Sequence, residues 1–130
     1  MVPQDCRYTK EHEWVRVEGG EVVIGITDFA QSSLGDVVFV ELPAVGRKLT
    51  AMGAFGSVEA VKTVADLYSP VTGEVTAIND AIKVDPSVVN RAPHGDGWMI
   101  RARMSNPSEI DALMGPKEYE AMVAELEAGA

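Results

Sequence analysis

From Glu13 to Glu18 apolar and polar residues alternate, with Trp14, Arg16 and Glu18 on one side and Val15 and Val17 on the other. A period of two is the mark of a strand. Gly19-Gly20 then supplies a turn, and Glu21 to Ile26 reads as the second arm of a hairpin. Thr27 or Asp28 can cap a short helix running to Leu34, because each offers a side-chain oxygen to the unpaired amides of the first turn. Gly35 ends that helix by allowing a positive φ. Val37 to Leu42 is the strongest strand pattern in the chain and Pro43 stops it. Val45 to Leu49 turns and re-enters an extended stretch, and Gly73 to Ile78 is another strand. Asp80 to Asn90 is less regular, with Pro86 barring a long helix. Arg91 to Gly97 is a loop by composition, and Trp98 to Met104 alternates as a last strand.

Past Asn106-Pro107 the character changes. Ser108 is placed to cap a short helix ending near Gly115, with Asp111 as the acid of a capping box. Pro116 suits the first position of a second helix. From Lys117 to Ala128 that helix carries a narrow apolar stripe of Tyr119, Met122, Val123 and Leu126, which fits packing on a β body with a frayed end. The residues alone support one mostly β domain over 1–130, with 1–6 as a flexible tail and 107–130 as a helical extension.

The run from Gly56 to Val75 holds the chain's one pointed feature. Lys62 is flanked by Val58, Ala60, Val61, Thr63 and Val64, residues that favour a pleated strand, and Pro70 with Gly73 closes the segment. Strands on either side of Lys62 would put it at a tight turn, with its ammonium in water. The Asn-Gly or Asp-Gly pair that most favours such a turn is missing.

Size and composition narrow the function classes. The chain has 130 residues, 46% hydrophobic and 24% charged, ordinary values for a small globular protein. No apolar run approaches the ~20 residues of a membrane helix, and the opening Met1-Val2-Pro3-Gln4-Asp5 lacks the pattern of a signal peptide. The net charge of −9 disfavours nucleic acid and anionic membranes. The single cysteine, Cys6, cannot form an internal disulfide and points to a reducing compartment. His12 and His94 belong to no HExxH motif and have no cysteine pair beside them, so no metal site is expected. A P-loop, a GxGxxG and a nucleophile elbow are all absent from the sequence. A carrier fits these residues better than a catalyst.

Several long motifs, in one order, resemble the glycine cleavage system H protein family. They are Tyr8-Thr9-Lys10-Glu11-His12-Glu13-Trp14, Gly25-Ile26-Thr27-Asp28-Phe29-Ala30-Gln31, Leu34 to Pro43, and Val58-Glu59-Ala60-Val61-Lys62 with Asp66, Tyr68-Ser69-Pro70 and Gly73-Glu74-Val75. Val89-Asn90 and Gly97-Trp98 follow in the expected places. The resemblance spans Arg7 to Tyr119. It implies a barrel-sandwich hybrid of the lipoyl and biotinyl carrier kind: two small antiparallel sheets related by a pseudo-twofold, plus a short internal helix and C-terminal helices. It also implies lipoate in amide linkage to Lys62, and no catalytic residue in the chain itself.

The partners that follow from the resemblance are glycine decarboxylase (the P protein), the aminomethyltransferase (the T protein), dihydrolipoamide dehydrogenase (the L protein) and a lipoate ligase or lipoyltransferase. The compartment would be a bacterial cytoplasm or a mitochondrial matrix. Family members shelter the loaded arm in a surface cleft, for which Glu13 and Asp66 are the candidate acids here, and Glu59 is the candidate contact for the lipoylating enzyme. Ser33 stands where some relatives have a histidine, and His94 replaces the usual tyrosine of a Pro-Tyr-Gly loop. Two rival carriers match less well. A 2-oxoacid dehydrogenase lipoyl domain typically has Asp-Lys-Ala where Val61-Lys62-Thr63 stands, and a biotin carrier has methionines on both sides of its lysine. An H-like relay serving other lipoate-dependent complexes is the remaining alternative. A Schiff-base lysine would need Lys62 to be buried.

Overall fold

The computed structural model describes residues 2–129; Met1 and Ala130, the outer ends of the expected tail and extension, lie outside the described residues. Among the described residues nine strands form two antiparallel sheets, neither of them closed. The larger sheet has the spatial order β1 (Arg7–Tyr8), β2 (Glu13–Glu18), β3 (Glu21–Ile26), β9 (Ile100–Met104), β8 (Gly73–Ile78), β5 (Lys48–Leu49). The smaller has β4 (Val37–Glu41), β6 (Ala54–Ala60) and β7 (Val64–Tyr68), with β6 in the middle. One apolar core lies between them and joins Val22, Ile24, Val75 and Ile100 of the larger sheet to Val40, Val58 and Leu67 of the smaller.

The helices largely follow their local signals. In α1 (Asp28–Leu34) the Thr27 hydroxyl accepts from the Ala30 amide, and Gly35 terminates the helix at φ 82°. Pro86 separates α2 (Asp80–Val84) from α3 (Val88–Arg91), so the irregular stretch resolves into two short helices. Pro116 opens α4 (Pro116–Ala128). The expected cap at Ser108 is not found: Pro107 takes the first position of a 3₁₀ helix, Pro107–Ala112, and Asn106 precedes it. The Ser108 hydroxyl donates instead to Asn106 Oδ1 at 2.6 Å. A proline at the first helical position needs no amide partner, and the helix starts two residues earlier than a Ser108 cap would set it.

Helix α4 has one further consequence. A second cluster, made of Cys6, Tyr8, Trp14, Val23 and Tyr119 with Met122 and Val123 against it, covers the outer face of β1 to β3. Trp14 and Val15 point to opposite faces yet both are buried, so the alternation in β2 separates two cores. Cys6, expected in a flexible tail, is part of that packing at 2% exposure, and burial first, then Asp5, pushes its thiol up to about 11. Leu126, the last residue of the expected stripe, is exposed.

Trp14 lies flat on Gly25, its cross-strand neighbour. A methyl at Gly25 would sit 2.8 Å from three ring atoms, and the ring cannot retreat because its Nε1 donates to Pro93 O at 2.9 Å. Gly25→Ala is expected to destabilise the protein by about 2 kcal/mol, the scale of an overpacked core. Chemical denaturation reads it, and an unchanged midpoint would mean that the sheet yields more easily than this geometry implies.

Candidate functional site

Lys62 sits where β6 turns into β7. The Ala60 amide donates to Thr63 O at 2.8 Å, leaving Val61 and Lys62 as a two-residue connection, and both side chains are exposed. Tight hairpins usually take positive φ at their centre, but neither residue does so here. The turn is supported from outside. The Val61 amide donates to Asp36 O at 3.1 Å, and the lysine stem passes over Gly35, where a methyl would lie 3.5 Å from Cε. An exposed lysine has none of the burial that Schiff-base chemistry would require.

The Gly35-Asp36 support is itself clamped. Asn90 of α3 donates through Nδ2 to Gly35 O and to Gln31 Oε1, both at 2.9 Å, and its Oδ1 accepts from the Val37 amide at 2.9 Å. One side chain thus ties the end of α1 to the start of β4, on either side of the residue that holds Val61. Asn90→Ala would leave the Val37 amide and Gly35 carbonyl without these partners, at a cost of about 2 kcal/mol. The expected readouts are a lower melting temperature and several-fold faster hydrogen exchange at the Val61 amide. Unchanged exchange there would break the link between Asn90 and the turn.

A cavity of about 380 Å³ opens beside β7. Ala65, Asp66, Leu67 and Tyr68 form one wall, Phe29, Ala30, Ser33 and Leu34 of α1 another, and Glu11, His12 and Glu13 the end. The structure therefore brings Glu13, Asp66 and Ser33 together, while Glu59 stays apart. Glu59 lies exposed on β6, opposite Phe39 on one side and Val64 on the other, near the lysine turn. His94 is not in the cleft: its Nε2 accepts from the Asp28 amide at 2.9 Å, at the start of α1, and burial lowers its pKa.

Glu13 is buried at 1% exposure. Its Oε1 accepts from the Thr9 hydroxyl at 2.5 Å and its Oε2 from the Tyr68 amide at 3.2 Å. Burial pushes the carboxyl up to about 7, against the pull of those two donors. Desolvation disfavours the charged form more than two hydrogen bonds favour it. The sequence left Glu11, His12, Phe29, Gly35, Asp36 and Asn90 without assigned roles at this site, although all six lie in or beside the quoted motifs.

A small two-sheet β scaffold with one lysine raised on a braced turn, and an acid-lined cleft alongside, defines a carrier rather than a catalyst. Comparison with known proteins makes the class specific. Residues 6–126 match the family model described as glycine cleavage H-protein. The chain is 50% identical over 125 residues to the glycine cleavage system H protein of Carboxydothermus hydrogenoformans, covering 96% of each chain. It is 56% identical over 123 residues to that of Geobacillus kaustophilus, covering 95% of this chain and 97% of that one. The crystal structure of a glycine cleavage system H protein from Mycobacterium marinum superposes with a TM-score of 0.88 at 36% identity, covering 95% of this chain and 99% of that chain. The chain belongs to the glycine cleavage H-protein family and is a lipoyl carrier of that system, not an enzyme in its own right.

Proposed function

We propose that Lys62 is the lipoyl attachment point and that this protein serves glycine decarboxylase, the aminomethyltransferase and dihydrolipoamide dehydrogenase in turn, after loading by a lipoate ligase or lipoyltransferase. The observation that carries this reading is the exposed lysine at the tip of a braced two-residue turn, with an acid-lined cleft beside it. Lipoate fits that setting, because amide formation needs an accessible amine and the cleft walls at Phe29, Ala30, Leu34 and Leu67 offer an apolar seat. When bound, the dithiolane supplies the chemistry, accepting the aminomethyl group, giving up its carbon, and passing on electrons.

The chain's own residues position and protect. The turn fixes where the arm begins, and tethering keeps its far end at high effective concentration near each partner's active site. Glu13 and Asp66 offer acceptors for an ammonium in the cleft, where an unpaired cation would be costly. Tyr68 and Thr9 hold the Glu13 carboxyl in place by donating to its two oxygens. Glu59 and the exposed apolar side chains of Phe39, Val61 and Val64 surround the lysine, a mixed surface suited to brief docking with larger enzymes. No helix among the described residues is long and apolar enough to cross a membrane. A reducing compartment inside the cell fits the partners.

The direct test is incubation with lipoate ligase, ATP and lipoate, followed by intact mass and peptide mapping. One lipoyl increment located on the Lys62 peptide is expected. An unchanged mass under conditions that lipoylate another H protein would overturn the assignment.

A further inference from the structure

At the closed end of the cleft His12 is held in an unusual way. Its backbone is left-handed, with φ 70°, a conformation that non-glycine residues keep only when their surroundings impose it. Two hydrogen bonds do so here: the His12 amide donates to Thr9 O at 3.2 Å, and His12 O accepts from the Thr27 amide at 2.9 Å. The ring is fixed as well. Its Nδ1 lies 2.8 Å from the Tyr119 hydroxyl, which lies 2.6 Å from the Thr27 hydroxyl, and the ring of Phe29 sits 4.8 Å away.

Counting hydrogens gives this chain a direction. Thr27 is completely buried, and its oxygen already accepts from the Ala30 amide. If His12 Nδ1 carried the proton, it would donate to Tyr119 and Tyr119 would donate to Thr27. The Thr27 hydrogen would then have no acceptor among the described residues, and buried hydroxyl hydrogens are rarely left so. In the opposite sense every hydrogen is used. Thr27 donates to Tyr119, Tyr119 donates to His12 Nδ1, and the imidazole proton sits on Nε2. Among the described residues Nε2 has no hydrogen-bond partner, yet it is not one of the buried unsatisfied atoms, so solvent reaches it, and His12 lines the cleft. Burial lowers the His12 pKa and so favours the neutral ring that this arrangement uses.

We infer that His12 is a binding residue of the cleft, presenting an Nε2–H donor to a sulfur of the seated arm, with Tyr119 and Thr27 as the positioning residues that fix its tautomer. The identity of the arm rests on the lipoyl reading of Lys62; the tautomer does not. A sulfur is the acceptor that matches. The cleft runs along β7 away from the attachment turn, so His12 meets the distal end of an arm. The aromatic faces of Phe29 and His12 there suit a polarizable atom. An ammonium would be turned away by the N–H and drawn to the neighbouring carboxyls of Glu13 and Asp66, which line the same cleft.

The test begins with the full-length chain labelled with 15N-histidine and carrying no arm, using His94→Gln to distinguish the two histidines. Long-range nitrogen–proton correlations are expected to find His12 protonated at Nε2 over Nδ1 by about tenfold or more. A proton on Nδ1 would overturn the inference whatever Lys62 carries. The next sample is the lipoylated chain with its arm carrying the aminomethyl group, the load verified by mass. The His12 Nε2 and Hε2 resonances are expected to shift on loading, and unmoved signals on a verified loaded chain would also overturn it. The last step compares Tyr119→Phe, which keeps the ring stacked on Tyr8 at 4.5 Å but removes the hydroxyl, with Thr27→Ser, which keeps the relay. Release of amine from the loaded arm is expected to run roughly three- to tenfold faster in Tyr119→Phe and at the parental rate in Thr27→Ser. Equal rates in all three would leave the relay without a part in holding the arm.

Discussion

Lys62→Arg abolishes lipoylation and reduces glycine–bicarbonate exchange, measured with the purified partner enzymes, to the rate seen when the carrier is omitted. Arginine keeps the positive charge and nearly the length of the side chain, but its guanidinium stays protonated and cannot be acylated. Fold and stability should be untouched. Lys62 is exposed, and substitutions of that kind usually fall within about 0.5 kcal/mol. The pairing of an unchanged melting curve with complete loss of exchange separates attachment chemistry from structural damage. Exchange that survived at the parental rate would remove Lys62 from the mechanism.

The second large effect lies in pH and stability. In the folded protein burial raises Glu13 from 4.5 to about 7. Below pH 4.5 the group is protonated in both folded and unfolded chains and contributes no difference. Between 4.5 and 7 the folded protein holds a proton that the unfolded chain releases, so stability falls as pH rises through that window. The full penalty, about 3 kcal/mol at 1.36 kcal/mol per pKa unit, is present above pH 7. Glu13→Gln has no such proton. Relative to the parent, it should therefore gain about 3 kcal/mol between pH 4.5 and pH 8, on top of a constant offset from the amide's changed bond to Thr9 that is the same at both pH values. Urea unfolding at the two pH values measures this, and parallel pH curves for the two proteins would count against it. In the lipoyl reading the same variant loses an acceptor for the arm's ammonium and should release amine faster. A carboxyl that weakens the resting fold is then kept for the loaded state.

Local chemistry made much of the fold legible. Thr27 and Gly35 bound α1 as their side chains and backbone freedom require, and Gly73 to Ile78 forms a strand as the pattern reads. What stayed hidden depends on contacts distant in sequence. Trp14 and Val15 look like opposite faces of a half-wet strand, and it takes the cover of α4 and the Pro93–His94 loop to make both of them core. The lysine turn lacks favoured turn residues because Asp36, far back in the chain, supplies its missing support. At the site, Glu13 and Asp66 were legible through family motifs, whereas the role of Asn90 rests on bonds spanning 53 to 59 residues. The contact of His12 with Tyr119 spans 107 residues. No period or local spacing encodes pairs of that kind.

The outside bracing of the lysine turn also bears on engineering. Residues 54–68, transplanted onto another scaffold as a tag for enzymatic labelling, would carry the modifiable amine but leave behind Asp36, Gly35 and the asparagine that secures them. Such a graft should present its lysine as a frayed loop, so a usable version has to bring the α1–β4 junction along or install a self-sufficient turn such as Asn-Gly. Conversely, because the tip owes its shape to a neighbour, its own side chains are left open to variation for whichever enzymes must read them.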